Sequence, residues 1–307
     1  MNSKIIFFLL LILSATGFIS PPIALCAGLI FGLTLLHPYS ADSRALSKFL
    51  LQASVVALGF GMNLHEVLKA GRSGFLYTAL GISFALLAGF LIGKALAVRG
   101  NTSLLISTGT AICGGSAIAA IGPILQAAPE EMAVALGTVF ILNSIALFIF
   151  PSIGTSLHLS QSQFGLWAAL AIHDTSSVVG AGSRYGNEAL VIATTVKLAR
   201  ALWIVPLALA TAAFKHSKSK VQIPWFIFLF CIAAVINTYG PQEPRLSQMF
   251  FQLGRLGLTV TLYLIGTGIS RATLKEVGWR PLAQGVLLWI LVGVTSLYCI
   301  RAGWIAL

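Results

Sequence analysis

Two cations stand inside an apolar run in the segment ATTVKLAR, residues 193–200. Lys197 lies roughly ten residues into that run, and at about 1.5 Å per residue this is too deep for its ammonium group to reach a membrane surface easily. Arg200 follows three residues later, so a helix places both cations on one face. Charges inside a membrane cost about 2.5–3.5 kcal/mol each on insertion scales, so they usually serve a function. The pair predicts a binding site for a small anion, with Lys197 and Arg200 as ligands.

A second polar interruption is AIHDTSSVVGAG, residues 171–182, which places an imidazole beside a carboxylate. His173 and Asp174 are candidate carriers of a coupling ion, H⁺ or Na⁺, because intramembrane ionisable groups mark ion pathways. Two alternatives stay open: Asp174 neutralises one cation as a structural ion pair, and His173 is a buried, hydrogen-bonded histidine. The hydroxyls of Ser176 and Ser177 are further candidate ligands for the anion.

A third interruption is TGTAICGGSAIAA, residues 108–120. Adjacent glycines free the backbone, and a helix that breaks there exposes N–H groups at the start of its second half. Such a terminus attracts anions through its donors and its dipole. The alternative is close helix packing through small residues. The candidate substrate-binding residues in this segment are Thr110, Gly114, Gly115 and Ser116.

The composition indicates the class of protein that carries these groups. Of 307 residues, 57% are hydrophobic and only 9% are charged, against about 25% charged in ordinary soluble domains, and the mean hydropathy is +0.93. These values predict an integral membrane protein surrounded by the lipid bilayer. A net charge of +11 without a long basic run or an interleaved aromatic patch argues against nucleic-acid binding.

Apolar runs of about twenty residues predict the membrane spans. The candidate spans are 4–19, 22–36, 47–64, 73–97, 102–126, 131–151, 164–182, 187–213, 222–240, 249–270 and 281–303. We therefore expect an all-α, polytopic fold of ten or eleven transmembrane helices in a single integral membrane domain, 1–307. Two of these helices, 102–126 and 164–182, are expected to be discontinuous, either broken or re-entrant. The first helix is expected to be retained rather than cleaved as a signal peptide.

Basic residues predict the orientation, because they collect on the cytoplasmic side. A cytoplasmic N-terminus and an external C-terminus place the larger basic set inside: Lys4, Arg44, Lys48, Lys94, Arg99, Lys215, Lys218, Lys220, Arg271, Lys275 and Arg280. The smaller set then lies outside: Lys69, Arg72, Arg184, Arg245 and Arg301.

Similar segments recur along the chain and indicate an internal duplication. Gly59, Gly61 and Gly71 have the same spacing as Gly266, Gly268 and Gly278, on spans that run in opposite directions. We expect repeat halves 22–151 and 164–303, inverted if the two interrupted segments are re-entrant, as in many secondary transporters. The four cysteines lie in apolar segments without metal spacing, so neither a metal site nor a cofactor is predicted.

Three blocks together resemble one family. STGTAICGGSAIAA, AIHDTSSVVGAG and ATTVKLARALWIVP are similar to the hallmark blocks of the YeiH-type sulfate exporter family. The resemblance covers nearly the whole chain and implies a protein of the bacterial inner (cell) membrane. It also implies a superfamily shared with bile-acid/sodium symporters and cation/proton antiporters, which have inverted repeats and crossed discontinuous helices. The family block carries a glutamate where this chain has Asp174.

The leading functional hypothesis is secondary transport of a small, sulfate- or sulfonate-like anion, coupled to H⁺ or Na⁺. The chain contains no Walker-type phosphate-binding motif, so a gradient rather than ATP must supply the energy. One alternative is cation/proton exchange using Asp174. A remote one is an intramembrane hydrolase, which the lack of a G-x-S-x-G elbow disfavours, so no enzyme is expected. For the oligomeric state, a homodimer is an alternative to a monomer.

Overall fold

A computed structural model describes residues 3–62, 64–215, 225–240, 244–269, 271 and 277–305. Every regular element in these ranges is an α-helix. Many large apolar side chains on these helices, such as Leu36, Phe90 and Trp279, are exposed, which suits a surrounding of lipid rather than water. The predicted class, an all-α polytopic membrane protein, is confirmed.

The helices form two compact units, each built from separate stretches of the chain. The first unit covers 1–68 and 224–271. Its helices are α1 (Ser3–Ala15), α2 (Pro21–Thr34), α3 (Ser40–Gly59), α12 (Trp225–Tyr239) and α13 (Pro244–Thr267). It contains none of the predicted site residues.

The second unit covers 69–223 and 272–307 and contains all of the predicted site residues. Its helices are α4 (Leu64–Ala95, from Lys69 onward), α5 (Gly100–Ala111), α6 (Gly115–Ile121), α7 (Pro129–Ser156), α8 (Gln161–Ala171), α9 (Thr175–Tyr185), α10 (Asn187–Ala201), α11 (Ile204–Lys215) and α14 (Trp279–Arg301). The predicted repeat halves 22–151 and 164–303 stay a prediction.

Both polar segments are divided into two helices. Residues 112–114 separate α5 from α6, and residues 172–174 separate α8 from α9. Gly114 has φ 66° and ψ −125°, a backbone conformation that favours glycine. Gly114 alone of the glycine pair has this conformation, since Gly115 is the first residue of α6. Whether these segments cross the membrane or re-enter it stays a prediction, as does the inverted repeat.

A further interruption was not predicted. The sequence presents 187–213 as a plain span, but the structure ends α10 at Ala201 and begins α11 at Ile204. Pro206 has no N–H to donate to Leu202, and the N–H of Val205 bonds the Leu202 carbonyl instead, at 3.1 Å. The helix carrying both cations thus ends just after Arg200.

Five helical stretches of the described chain are long and apolar enough to cross a membrane: Tyr77–Ala95, Glu130–Ser156, Asn187–Phe214, Arg245–Thr267 and Trp279–Arg301. Shorter apolar helices are Ser3–Ala15, Pro21–Thr34 and Trp225–Tyr239. The number of ten or eleven spans and the orientation stay predictions. Lys218, Lys220 and Lys275, which the orientation uses, lie outside the described residues.

Small residues allow α2 and α13 of the first unit to pack closely. A Cβ added at Gly28 would lie 3.1 Å from Cα of Gly266 and would overlap the carbonyl oxygen of Tyr263. A Cβ added at Gly266 would in turn lie 2.7 Å from the carbonyl oxygen of Leu25. Backbone-to-backbone contact of this kind is the usual packing mode where lipid removes any hydrophobic drive between helices.

Gly28→Ala should therefore destabilise the first unit by about 1–3 kcal/mol, because the overlap is with rigid backbone. A lower melting temperature of the detergent-purified protein would show this loss. Gly81→Ala is the matched control: Gly81 is also helical, and nothing lies within 4 Å of an added Cβ. A Gly28→Ala variant as stable as the Gly81→Ala variant would contradict the packing described here.

Candidate functional site

Three side chains interact at the C-terminal end of α8, where backbone carbonyls have no hydrogen-bond partner within the helix. Lys197 donates from Nζ to the carbonyl oxygens of Ile172 at 2.7 Å and Ala169 at 3.3 Å. The indole N–H of Trp289 donates to the carbonyl oxygen of Ala171 at 3.1 Å. The last carbonyls of a helix have no partner within the helix, and cations are favoured there by the helix dipole. The buried lysine is thus stabilised by the α8 terminus.

Arg200 joins the ends of two helices. Its Nε donates to the carbonyl oxygen of Ala111, the last residue of α5, at 2.6 Å. Its Nη1 donates to the carbonyl oxygen of Leu170 in α8 at 2.8 Å. Arg200 is 1% exposed and Lys197 is 0% exposed. Both cations therefore occupy the interior, where the sequence places them, and each has carbonyl partners that the sequence does not reveal.

The two interruptions meet in space. A Cβ added at Gly114 would lie 3.2 Å from Cβ of Asp174 and 3.4 Å from the carbonyl oxygen of His173. Arg200 bridges the two interruptions: its partner Ala111 comes just before the first interruption, and its partner Leu170 comes just before the second. The interruptions and the cations thus form one polar site inside the second unit.

Asp174 caps the start of α9. Its Oδ1 accepts the N–H of Ser177 at 3.0 Å, and its Oδ2 accepts the hydroxyl of Ser176 at 2.6 Å. The carboxylate therefore lies at the positive end of the helix dipole. Among the described residues, no hydrogen bond joins this carboxylate to Lys197 or Arg200.

Asn143 of α7 fixes the backbone between α8 and α9. Its Oδ1 accepts the backbone N–H of His173 at 3.0 Å. This contact turns the Asn143 amide group so that its NH₂ points away from that backbone. The His173 ring is 0% exposed, and neither ring nitrogen has a hydrogen-bond partner among the described residues.

Several buried polar atoms in the site have no partner within the described part of the chain. They are Thr110 Oγ1, Asn143 Nδ2, both ring nitrogens of His173, Thr194 Oγ1 and Arg200 Nη2. Thr110 is the residue before Ala111, whose carbonyl oxygen accepts a hydrogen bond from Arg200. Thr194 precedes Lys197 by one turn of α10. Native proteins leave few buried polar groups unsatisfied, and those few indicate a bound water, ion or ligand.

The predicted site residues divide into two sets. Those at the meeting point of the interruptions are Thr110, Gly114, His173, Asp174, Ser176, Ser177, Lys197 and Arg200. Ser116 is exposed and Gly115 is partly exposed, and an added Cβ at Gly115 would contact the ring of Phe140 at 3.0 Å. Ser116 and Gly115 therefore lie on a side of α6 that does not face the meeting point of the interruptions.

Sequence reasoning assigned no site role to three residues that the structure adds. Asn143 is a polar residue in an apolar run, and the structure uses its amide oxygen to bind the backbone between α8 and α9. Thr194 shares a helix face with Lys197, and that spacing could have indicated it. Trp289 carries no sequence signal, because its partner is a backbone carbonyl.

Comparison with known proteins supplies the family. Residues 5–285 match the family described as Conserved hypothetical protein 698. The chain belongs to this family. The match covers most of the chain, including both interruptions and both cations of the site.

Bacterial members of the Conserved hypothetical protein 698 family include curated relatives named UPF0324 membrane protein. One from Bacteroides thetaiotaomicron is 53% identical over 285 residues, which covers 92% of this chain and 86% of the relative. Another from Porphyromonas gingivalis is 53% identical over 287 residues, covering 92% and 87%. A third, UPF0324 membrane protein GSU2818 from Geobacter sulfurreducens, is 48% identical over 300 residues, covering 98% and 97%.

These similarities agree with a membrane protein that has several apolar helices. The names carry no substrate, so the finer resemblance to YeiH-type sulfate exporters, and to the superfamily of symporters and antiporters, stays a prediction.

Arg200→Lys should lower the stability of the second unit, because a lysine keeps the charge but lacks the planar fork that holds two carbonyls at once. The expected loss is about 1–3 kcal/mol, the cost of leaving a buried carbonyl without a donor, and thermal unfolding in detergent measures it. Arg184→Lys is the control: Arg184 is exposed, so its exchange should leave the melting temperature unchanged. Equal melting temperatures for the two variants would rule out the bridging role.

Proposed function

We propose that this protein is a secondary transporter of a small anion of the sulfate or sulfonate type, and that the meeting point of the two interruptions is its binding site. The observation that carries the proposal is a buried cluster with excess positive charge and unused hydrogen-bond donors. Both features suit the binding of an anion.

The charge balance supports an anion. Lys197 and Arg200 contribute two positive charges, and Asp174 contributes one negative charge when ionised. A buried charge without a counter-ion is costly, because desolvation is not repaid. The carbonyl oxygens at the ends of α5 and α8 offset part of this cost, but each carries only a partial charge. A bound anion completes the balance.

The free donors support an oxyanion, and they assign different roles to the two cations. A guanidinium group has five N–H donors; one contact each from Nε and Nη1 is made to carbonyls, while Nη2 is unpartnered among the described residues. Arg200 is therefore the proposed direct ligand. Lys197 directs two of its three donors to carbonyls at the end of α8, so its main proposed contribution is charge and position. Asn143 Nδ2 and the hydroxyls of Thr110 and Thr194 offer further donors.

Asp174 and His173 are the proposed coupling groups for H⁺ or Na⁺. The carboxylate accepts two hydrogen bonds at the start of α9, beside the proposed anion site. Transport involves no bond-making step, so neither an enzymatic activity nor a cofactor belongs to the proposal. The proposed location is the bacterial inner membrane, with the N-terminus in the cytoplasm and the C-terminus outside.

Thr110→Val and Thr194→Val test the unused donors. Valine has nearly the same shape, and neither hydroxyl has a hydrogen-bond partner among the residues that the structure describes, so the melting temperature should stay equal or rise. The KM for labelled sulfate uptake into proteoliposomes should rise about tenfold, since a hydrogen bond to a charged ligand contributes about 1.5–3 kcal/mol.

Thr138→Val is the control for this pair. Thr138 is equally buried, but its hydroxyl bonds the Val134 carbonyl within α7 at 2.8 Å, so uptake should not change. Unchanged KM in the Thr110 and Thr194 variants would remove both hydroxyls from the anion site.

Asn143→Asp separates an anion carrier from a cation exchanger. The aspartate keeps the oxygen that accepts the His173 N–H, but it replaces the NH₂ donor by an oxygen and cancels the excess positive charge. Sulfate flux into proteoliposomes should fall by at least about tenfold, because like charges in a buried site repel strongly. Asn187→Asp, which adds the same charge at an exposed position, should leave flux unchanged.

The same variant decides between the proposals when the lumenal pH is recorded. Undiminished sulfate flux, together with increased sulfate-independent proton movement driven by Na⁺, would reject the anion carrier and favour the exchanger.

A further inference from the structure

A second polar cavity lies in the second unit, outside the site described above. Its volume is about 430 Å³, and it is lined by Pro151, Ser152, Thr155, Ser156, Arg184 and Tyr185. Small-molecule sites commonly have volumes of about 300–1,000 Å³ and a few convergent polar groups. None of these residues takes part in the site at the interruptions.

One wall of the cavity is a face of α7 that carries hydroxyl groups. Ser152, Thr155 and Ser156 have the i, i+3, i+4 spacing that places side chains on one helix face. The hydroxyl of Thr155 donates to the Pro151 carbonyl at 2.9 Å, so the hydroxyl oxygen can act only as a hydrogen-bond acceptor towards other groups. Ser152 and Ser156 are exposed, and neither hydroxyl is hydrogen-bonded to any residue that the structure describes, so both are available as donors.

The opposite wall is the last turn of α9, which supplies one cation and one fixed ring. Arg184 is exposed, and its guanidinium has no partner in the described chain. The Tyr185 ring stacks on Phe164 with centroids 3.8 Å apart, and its hydroxyl donates to the Leu159 carbonyl at 2.6 Å. The ring is therefore held in place, while the neighbouring guanidinium is free to bind.

Other charges at this end of the unit leave it positive. Arg301 donates from Nη2 to the carbonyl oxygen of Leu157, the residue after α7, at 3.0 Å. The nearby acid is Glu188, exposed in the first turn of α10. Two arginines against one glutamate favour a small oxyanion over a cation.

Two helices lead from the site at the interruptions to this cavity. α7 runs from Asn143, which binds the His173 backbone, to Ser152 and Thr155 in the cavity wall. α9 runs from its cap, Asp174, to Arg184 in the opposite wall. Along each helix the separation is about 15 Å at 1.5 Å per residue. The cavity thus lies at the C-terminal ends of α7 and α9, whereas the buried site lies beside the middle of α7 and the start of α9.

We infer that this cavity is a second binding site, specific for a small soluble oxyanion such as sulfate, with Arg184 as its charged ligand and the hydroxyls of Ser152 and Ser156 as donors. Binding there raises the local concentration of the anion at one mouth of the transporter. Only this role in concentrating the anion rests on the proposed function; the binding itself does not.

The test measures sulfate binding at the cavity without measuring transport. Thr155→Cys, at a cavity-lining position whose hydroxyl bonds within α7 and is not a proposed donor, is placed in a background where Cys26, Cys113, Cys231 and Cys299 are replaced by alanine. Its labelling rate with a negatively charged thiosulfonate reagent is recorded in detergent. Sulfate should slow labelling, and the half-protective concentration should rise about threefold to tenfold in Arg184→Gln, because one charge-assisted contact is lost at an exposed site. Chloride at equal ionic strength is the control for screening.

The outcomes are distinct. Protection by sulfate that Arg184→Gln weakens and Arg184→Lys partly retains supports the site. No protection in folded protein, equal protection by chloride, or protection that survives Arg184→Gln overturns it. Protection by vesicles of anionic phospholipid, with none by sulfate, assigns the cavity to lipid headgroups and also overturns it. Loss of sulfate flux in Thr110→Val with intact protection would bear on the proposed transport alone.

Discussion

The C-terminal carbonyls of α8 need hydrogen-bond donors in a place that water does not reach, and this requirement organises the second unit. Lys197, Arg200 and Trp289 supply those donors. A helix that ended there without them would leave several polar groups unpaired, at a cost of roughly 1–3 kcal/mol for each group. The same contacts explain how two cations can be buried almost completely. Each is stabilised by carbonyl oxygens and by the negative end of a helix dipole, so the site persists without a carboxylate bound to either cation.

A site held in this way keeps both cations without a carboxylate bound to either of them, although the net charge of the three groups would be the same in an ion pair. Had Asp174 bound Lys197 directly, the interior would contain a neutral pair and one arginine. Instead the carboxylate is used at the start of α9, and both cations face the ends of helices. In this arrangement, the donors that bind the helix ends are different from the donors that remain for a ligand. Within the described residues, part of the guanidinium and several neighbouring hydroxyl and amide groups have no hydrogen-bond partner, and such donors are those that recognise an oxyanion.

Much of this arrangement was visible in the sequence, and the reasons for the rest are physical. Hydropathy predicted the helical class, and the glycines and polar residues at 112–116 and 172–177 indicated where two helices break. The spacing of Lys197 and Arg200 predicted a shared face. What it could not reveal was the partner of each cation, since backbone carbonyls leave no mark in a residue pattern. For the same reason Trp289 was missed. The exposure of Ser116 was not predictable either, because its site role was inferred from the glycine pair beside it. The interruption after Arg200 was missed because a proline prevents a helical hydrogen bond to the carbonyl four residues earlier.

The contact of one guanidinium with both Ala111 and Leu170 has a mechanical consequence. A single rigid, planar group cannot follow two helix ends that move apart by more than a fraction of an ångström without releasing one of them. The ends of α5 and α8 are therefore coupled, because any movement that separates them has to break one of the two hydrogen bonds of Arg200.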